Sequence, residues 1–110
     1  MTIVNSYIST QDTTNTYAVV ENFLIQTTYG KSVAITLKNT GDNSILWTVY
    51  GGNLSDMSDY ITVKSEATVL DGAGDSYANS FAPFEFYYVY VVNGTTDLSS
   101  TVVLNAIVKN

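Results

Sequence analysis

The stretch SVAITLKNTGDNSILWTVYG, residues 32–51, decides the fold class of this 110-residue chain. Apolar residues recur in it at every second position, first at Val33, Ile35 and Leu37 and then at Ile45, Trp47 and Val49. This period of two puts the apolar side chains of each run on one face of a β-strand. Residues 39–43, which lie between the two runs, are turn formers with a central glycine. The pattern predicts a β-hairpin whose core face includes Trp47.

The rest of the chain shows similar short runs, and no helical period persists for more than two turns. Further strands are predicted within residues 17–27, 60–64 with 67–70, 76–81, 85–92 and 100–108. The alternation directs Ile61 and Val63 inward and puts Val102, Leu104, Ala106 and Val108 on one face. Turn-forming residues separate the runs, and only residues 54–60 could hold a helical turn.

Seven to nine strands at this spacing predict one all-β domain that covers residues 1–110. Short strands with turns every 8–12 residues are typical of sandwiches and barrels. We expect an antiparallel two-sheet sandwich, either immunoglobulin-like or jelly-roll.

The composition excludes several kinds of function. The chain has no cysteine and no histidine, which rules out disulfide scaffolds, histidine-ligated metals and histidine-dependent nucleophiles. Ten acidic residues face four lysines and no arginine, and this net charge of −6 disfavours nucleic acid as a partner. No run reaches the roughly 18 apolar residues of a membrane helix, so no membrane partner is predicted. Ser, Thr and Asn supply 36 residues, an uncharged polar surface typical of extracellular modules and assembly proteins.

Paired carboxylates are the one catalytic device that this composition leaves open, because a glycosidase needs two of them across a cleft. The candidates are Asp56 with Asp59, Asp71 with Asp75, and Glu21 or Glu85. Aspartates in turns also accept backbone hydrogen bonds, and this is the interpretation we favour. The cluster at residues 71–75 suits calcium, but the further acidic ligands of an EF-hand loop are missing. We therefore expect no enzymatic activity, no cofactor and no metal.

The segment FEFYYVYVV, residues 84–92, is apolar on both faces of its predicted strand. A strand of a two-sheet sandwich has one solvated face, so one of these two faces must point outward. We assign the outward face to the odd positions, and the candidate interface residues are Phe84, Tyr87, Val89 and Val91. Three roles remain open for outward aromatic residues: a protein interface, a platform on which sugars stack, and cross-strand pairing.

Two segments resemble small virion proteins of tailed bacteriophages: LKNTGDNSILWTVYG at residues 37–51 and APFEFYYVYVV at residues 82–92. In that family a strand, an Asn-Thr-Gly turn and an aromatic strand ending in glycine form a hairpin. A later aromatic strand, a polar turn and a final hydrophobic strand follow it. The resemblance spans residues 30–108 and implies a non-enzymatic virion part, either a capsid decoration or a component of the head–tail apparatus. It carries over no catalytic residue.

Composition and resemblance together predict a capsid decoration (cement) protein, or another accessory particle protein, that acts in many copies. The expected partners are the major capsid protein or another virion protein, and further copies of the chain in a homo-oligomer such as a trimer. The expected location is the virion, after synthesis in the host cytoplasm. The alternative prediction is a carbohydrate- or cell-surface-binding module that uses tyrosines as stacking platforms.

Overall fold

The computed structural model describes residues 3–15, 18–19, 25–27, 31–56 and 58–109. In this part of the chain the regular elements are all strands: β1 (Ile3–Asp12), β2 (Ala18–Val19), β3 (Ile25–Gln26), β4 (Ser32–Asn39), β5 (Ile45–Gly52), β6 (Ile61–Val69), β7 (Gly74–Asn79), β8 (Phe86–Asn93) and β9 (Thr101–Lys109). Over the same residues, no helix is long and apolar enough to cross a membrane.

The strands form two antiparallel sheets, ordered β1-β9-β4-β7 and β2-β8-β5-β6, and β3 also pairs with β8. The pairs are nested along the chain: β5 pairs with β6, β4 with β7, β2 and β3 with β8, and β1 with β9. One long hairpin wound into two sheets is the connectivity of a jelly roll. The predicted two-sheet sandwich is confirmed, and its topology is the jelly-roll alternative.

The predicted hairpin between β4 and β5 is wrong, because these strands lie in different sheets. Residues 40–44 do turn the chain, but they carry it across the core from one sheet to the other. The backbone N–H groups of Thr40 and Gly41 both donate to the carbonyl of Thr101 on β9, at 2.9 and 3.2 Å. A side chain at Gly41 would clash with Ser100 Oγ and lie 2.6 Å from the Thr101 nitrogen. The glycine therefore permits close packing of the crossing loop on β9.

A buried amide stabilises the same crossing. Asn39 is fully buried at the end of β4. Its Nδ2 donates to the carbonyls of Asn43 and Val69, at 2.7 and 3.2 Å. Its Oδ1 accepts from Ser100 Oγ at 2.6 Å and from the Gly41 N–H at 3.2 Å. One buried side chain therefore bonds to the crossing loop, to β6 and to Ser100, the residue before β9, so its own polar atoms are satisfied.

The apolar side chains that alternate along the strands meet between the two sheets, as the period of two predicts. The predicted faces of β4, β5 and β9 are confirmed as core by their burial: Val33, Ile35, Leu37, Ile45, Trp47, Val49, Val102, Leu104, Ala106 and Val108. Trp47 is the largest of the fully buried side chains. The prediction that it belongs to the core is confirmed.

The Trp47 indole also connects the two sheets. Its Nε1 donates to Asp75 Oδ2 on β7 at 2.9 Å, and Lys64 Nζ on β6 lies 3.2 Å from the same oxygen. The ammonium is 5.6 Å from the centre of the Trp47 ring system. Partial burial by itself would raise the pKa of Asp75, but the hydrogen bonds from Trp47, Ser76 and Lys64 lower it below its ordinary value. The carboxylate therefore stays charged at the edge of the core.

Several other strands differ from their predicted form. The two runs at 60–64 and 67–70 form the single strand β6, and its ladder with β5 shifts register twice between Trp47 and Tyr50. These shifts leave Ile61, predicted to point inward, 54% exposed, whereas Val63 packs against the core. Strand β1 is not predicted by the apolar pattern, because most of its residues are polar. Of the strand region at residues 17–27, only β2, β3 and Thr27 fall within the described residues.

Candidate functional site

The predicted outward face of β8 is wrong. Tyr87, Val89 and Val91 are at most 1% exposed and belong to the core. Phe84 is half-buried, packs against the core, and meets the Tyr87 ring edge to face with ring centres 6.2 Å apart. Burial raises the pKa of Tyr87, and the neighbouring Tyr77 adds to the rise. None of the three β8 side chains can line a docking surface, because they face the opposite sheet.

The even positions of β8 point outward instead, and they form part of a tyrosine-lined depression. Its described lining residues are Tyr50, Asp56, Tyr60, Tyr88 and Tyr90. We call it the tyrosine pocket; its volume is about 260 Å³. It lies on the outer face of the five-stranded sheet, where Tyr50 of β5 is directly opposite Tyr88 of β8. Tyr60, just before β6, is 56% exposed. The pocket thus combines residues from three regions of the sequence.

The rings are fixed by edge-to-face contacts. The ring centre of Tyr50 lies 4.9 Å from that of Tyr60, with an interplanar angle of 79°. The ring centre of Tyr50 also lies 5.1 Å from that of Tyr90, with an interplanar angle of 89°. Perpendicular rings at this spacing are a favoured aromatic geometry, worth about 0.5–1.5 kcal/mol per pair beyond the buried area. The pocket wall is therefore held in place before any partner binds.

Two side chains of the tyrosine pocket, Tyr50 and Asp56, have shifted pKa values. Burial raises the pKa of Tyr50, and Tyr60, Tyr90 and the carboxylate of Glu66 raise it further, so its hydroxyl stays neutral at ordinary pH. The hydrogen bond from the Ser58 N–H, at 3.0 Å, lowers the pKa of Asp56. The pocket therefore offers aromatic surface, tyrosine hydroxyl groups and the ionised carboxylate of Asp56.

The candidate carboxylate pair at this site has a structural role. Asp59 accepts hydrogen bonds from the backbone N–H groups of Asn53 and Leu54, at 3.0 and 3.2 Å, and Asp56 accepts one from Ser58. The interpretation that these turn aspartates bond to the backbone is confirmed. Among the residues that the structure describes, no cluster of three or more acidic side chains could hold a metal ion.

The opposite side of the sandwich has a different character. Outward positions of the four-stranded sheet carry small, polar or aliphatic side chains, and two shallow grooves of about 290 and 380 Å³ run along it. The registers place Ser6, Ile107, Ala34 and Ala78 in one row across all four strands. We call this surface the flat face. Ile8, next to that row on β1, is 74% exposed.

The sequence carried one usable signal for the tyrosine pocket. Phe86, Tyr88 and Tyr90 form the second apolar face of the segment 84–92, and Tyr50 occupies the polar phase of the strand that contains Trp47. If two strands that carry aromatic residues on the side away from the core are neighbours in a sheet, those residues predict an aromatic outer surface. That they are neighbours follows only from the observed ladder between β5 and β8.

Comparisons with known proteins identify the fold. No family model matches the sequence, and no curated protein matches it significantly. Among solved structures, a subunit of the disulfide-linked pili of Bacillus endospore appendages matches with a TM-score of 0.66 and 18% identity, covering 99% of this chain and 88% of that one. The SPBc2 prophage-derived protein YomS matches with a TM-score of 0.53 and 9% identity over 99% of both chains.

A third similar structure is the Yersinia pseudotuberculosis-derived mitogen, with a TM-score of 0.55 and 11% identity over 94% of this chain and 85% of that one. The same architecture occurs in a pilus subunit, a prophage protein and a mitogen. The fold therefore does not define the function. The sequence of the present chain contains no cysteine, the residue that disulfide-linked pili require.

Proposed function

We propose that the chain is a non-enzymatic structural subunit that works in many copies on a virus particle or an extracellular appendage. The observation that carries this is the pair of open outer sheet faces, which expose apolar side chains on both sides of a small domain. Ile8 on the flat face is 74% exposed, and Tyr60 in the tyrosine pocket is 56% exposed. A contiguous exposed apolar surface, such as the four tyrosines that line the tyrosine pocket, marks an interaction site.

The more specific form of the proposal is an accessory or decoration protein of a virus capsid. It is supported by the sequence resemblance to phage virion proteins and by the fold shared with a prophage-derived protein. The fold shared with a pilus subunit supports the broader class of assembled structures. With a net charge of −6 and no arginine, the chain would bind its partner through apolar and hydrogen-bonded contact rather than through long-range attraction.

Quantitative mass spectrometry of particles and appendages purified from the producing cells tests this function. We expect peptides of the chain at a copy number comparable to that of the major structural protein. Tyr60→Ala should reduce incorporation about 30-fold, because a central interface tyrosine contributes about 2 kcal/mol. Leu70→Ala, at another exposed apolar position, is the matched control and should incorporate normally. Absence of the wild-type chain from the particles, or only a few copies, would overturn the proposal.

The second candidate is a carbohydrate-binding module, favoured by the four tyrosines and the ionised Asp56 of the tyrosine pocket. Aromatic faces next to hydroxyls and a carboxylate fit a neutral sugar, whereas the carboxylate would repel an anionic one. Calorimetric titration with neutral cello-, malto- and chito-oligosaccharides tests it. This function predicts saturable heat that Tyr60→Ala abolishes and Leu70→Ala retains. No heat with any of these oligosaccharides removes the candidate.

A further inference from the structure

The flat face has two recesses between its outward side chains. Ala34 lies opposite Ile107 on one side and Ala78 on the other. One groove runs along the two alanines, and the other lies between Ile8 and Ile107. Small residues between larger aliphatic ones leave depressions about as wide as one side chain. Tyrosine rings that project from another surface could fill them with apolar contact.

The charges on the two outer faces are opposite in sign. Of the four lysines in the chain, Lys38 and Lys109 occupy outward positions on the flat face, next to Val103 and Ser32 of the neighbouring strands. The one acidic residue in the described outward positions there is Asp12, which accepts a hydrogen bond from Thr101. The carboxylates at the tyrosine pocket include Asp56, which lines it, and Glu66, whose charge acts on Tyr50.

These two features determine which pairing of faces is favourable. Two tyrosine pockets placed face to face would bring four carboxylates together, and two flat faces would bring their lysines together. A tyrosine pocket against a flat face sets carboxylates against lysines and aromatic rings against recesses. Complementarity therefore favours a contact between unlike faces.

We propose that the tyrosine pocket of one copy docks on the flat face of a second copy. The inference rests on the proposed structural function and names the partner of that site. The two surfaces lie on opposite sides of the same sandwich, so each docked copy still has one of them free to bind a further copy. The contact is therefore head to tail. Sheets packed face to face are about 10 Å apart, so a stack with two sheets per copy repeats roughly every 20 Å.

The size of the flat face limits the strength of one contact. Four strands at a spacing of about 4.8 Å and about eight residues at 3.3 Å each give roughly 500 Å² of sheet. A standard stable interface buries about 800 Å² on each partner. A single contact is therefore weak, and assembly in solution depends on concentration.

Sedimentation equilibrium of two complementary variants tests the head-to-tail contact. Ala34→Glu places a carboxylate on the flat face and leaves the tyrosine pocket intact, and Tyr60→Glu does the reverse. Both positions are exposed, and circular dichroism verifies that each variant folds. We expect the wild-type mass to rise above 12.0 kDa between about 10 µM and about 1 mM, while each variant alone stays monomeric. Leu70→Glu, outside both faces, should assemble like the wild type.

Mixing the two variants gives the decisive result. Each retains one intact face, so the mixture should form a dimer of about twice 12.0 kDa that does not extend further. A contact between like faces predicts instead that one variant alone still dimerises, and this result would overturn the proposal. A wild type that stays monomeric throughout but occurs in many copies on particles would also overturn it, while the structural function stands. Binding of neutral oligosaccharide to a monomeric wild type, lost in Tyr60→Glu, would assign the pocket to sugar instead.

Discussion

Replacing Trp47 with alanine is expected to lower the free energy of unfolding by about 3–5 kcal/mol. Trp47 is 0% exposed and is the largest of the fully buried side chains. Its removal leaves a cavity between the sheets and also deletes the hydrogen bond from Nε1 to Asp75. Domains of this size have a total stability of about 5–15 kcal/mol, so the loss is a large share of it.

Equilibrium unfolding in urea measures this loss, and a second variant separates its two causes. Trp47→Phe keeps most of the ring volume and removes the N–H donor, so it should cost less than Trp47→Ala. Tyr60→Ala, at an exposed position, is the matched control and should cost little more than its edge-to-face contact with Tyr50, about 0.5–1.5 kcal/mol. Equal losses for Trp47→Ala and Tyr60→Ala would contradict the assignment of Trp47 to the core.

Replacing Asn39 with alanine is expected to lower the free energy of unfolding by about 3 kcal/mol. Its amide bonds to Asn43, Val69, Ser100 and Gly41, and the side chain is fully buried. Alanine would leave these buried groups without their partner, and each unsatisfied buried group costs about 1–3 kcal/mol. The total loss is smaller than the sum of these costs, because the Ser100 hydroxyl can turn to another acceptor and water can bond to the freed groups.

Thermal and urea unfolding of Asn39→Ala, with amide exchange at residues 40–44, measures the effect. Exchange in the crossing loop should accelerate more than exchange in the centre of β9, because the loop loses its bonds directly. Asn105→Ala, at an exposed asparagine on β9, is the control and should leave stability nearly unchanged. If Asn39→Ala and Asn105→Ala both unfold at the same temperature and urea concentration as the wild type, the Asn39 amide does not stabilise the loop that crosses between the sheets.

The orientation of β8 shows where sequence reasoning about the candidate site ends. The segment 84–92 is apolar at both odd and even positions, so its alternation defines two faces without ranking them. In the fold, Tyr87 and its odd neighbours face the four-stranded sheet, and Tyr88 and Tyr90 face outward beside Tyr50. Which face of a strand points to the core is set by its register in the whole sheet, since a shift of one residue exchanges the two faces.

The sequence by itself determined the all-β class, the positions of most strands and the core faces of β4, β5 and β9. These depend on a period of two and on turn-forming residues, which act over a few neighbouring positions. Only the tertiary structure decided that residues 40–44 cross between sheets, and that Tyr50, Tyr60 and Tyr88 share one pocket. Strand pairing is set by contacts between residues far apart in the chain, and a local pattern stabilises a hairpin and a crossing loop equally well.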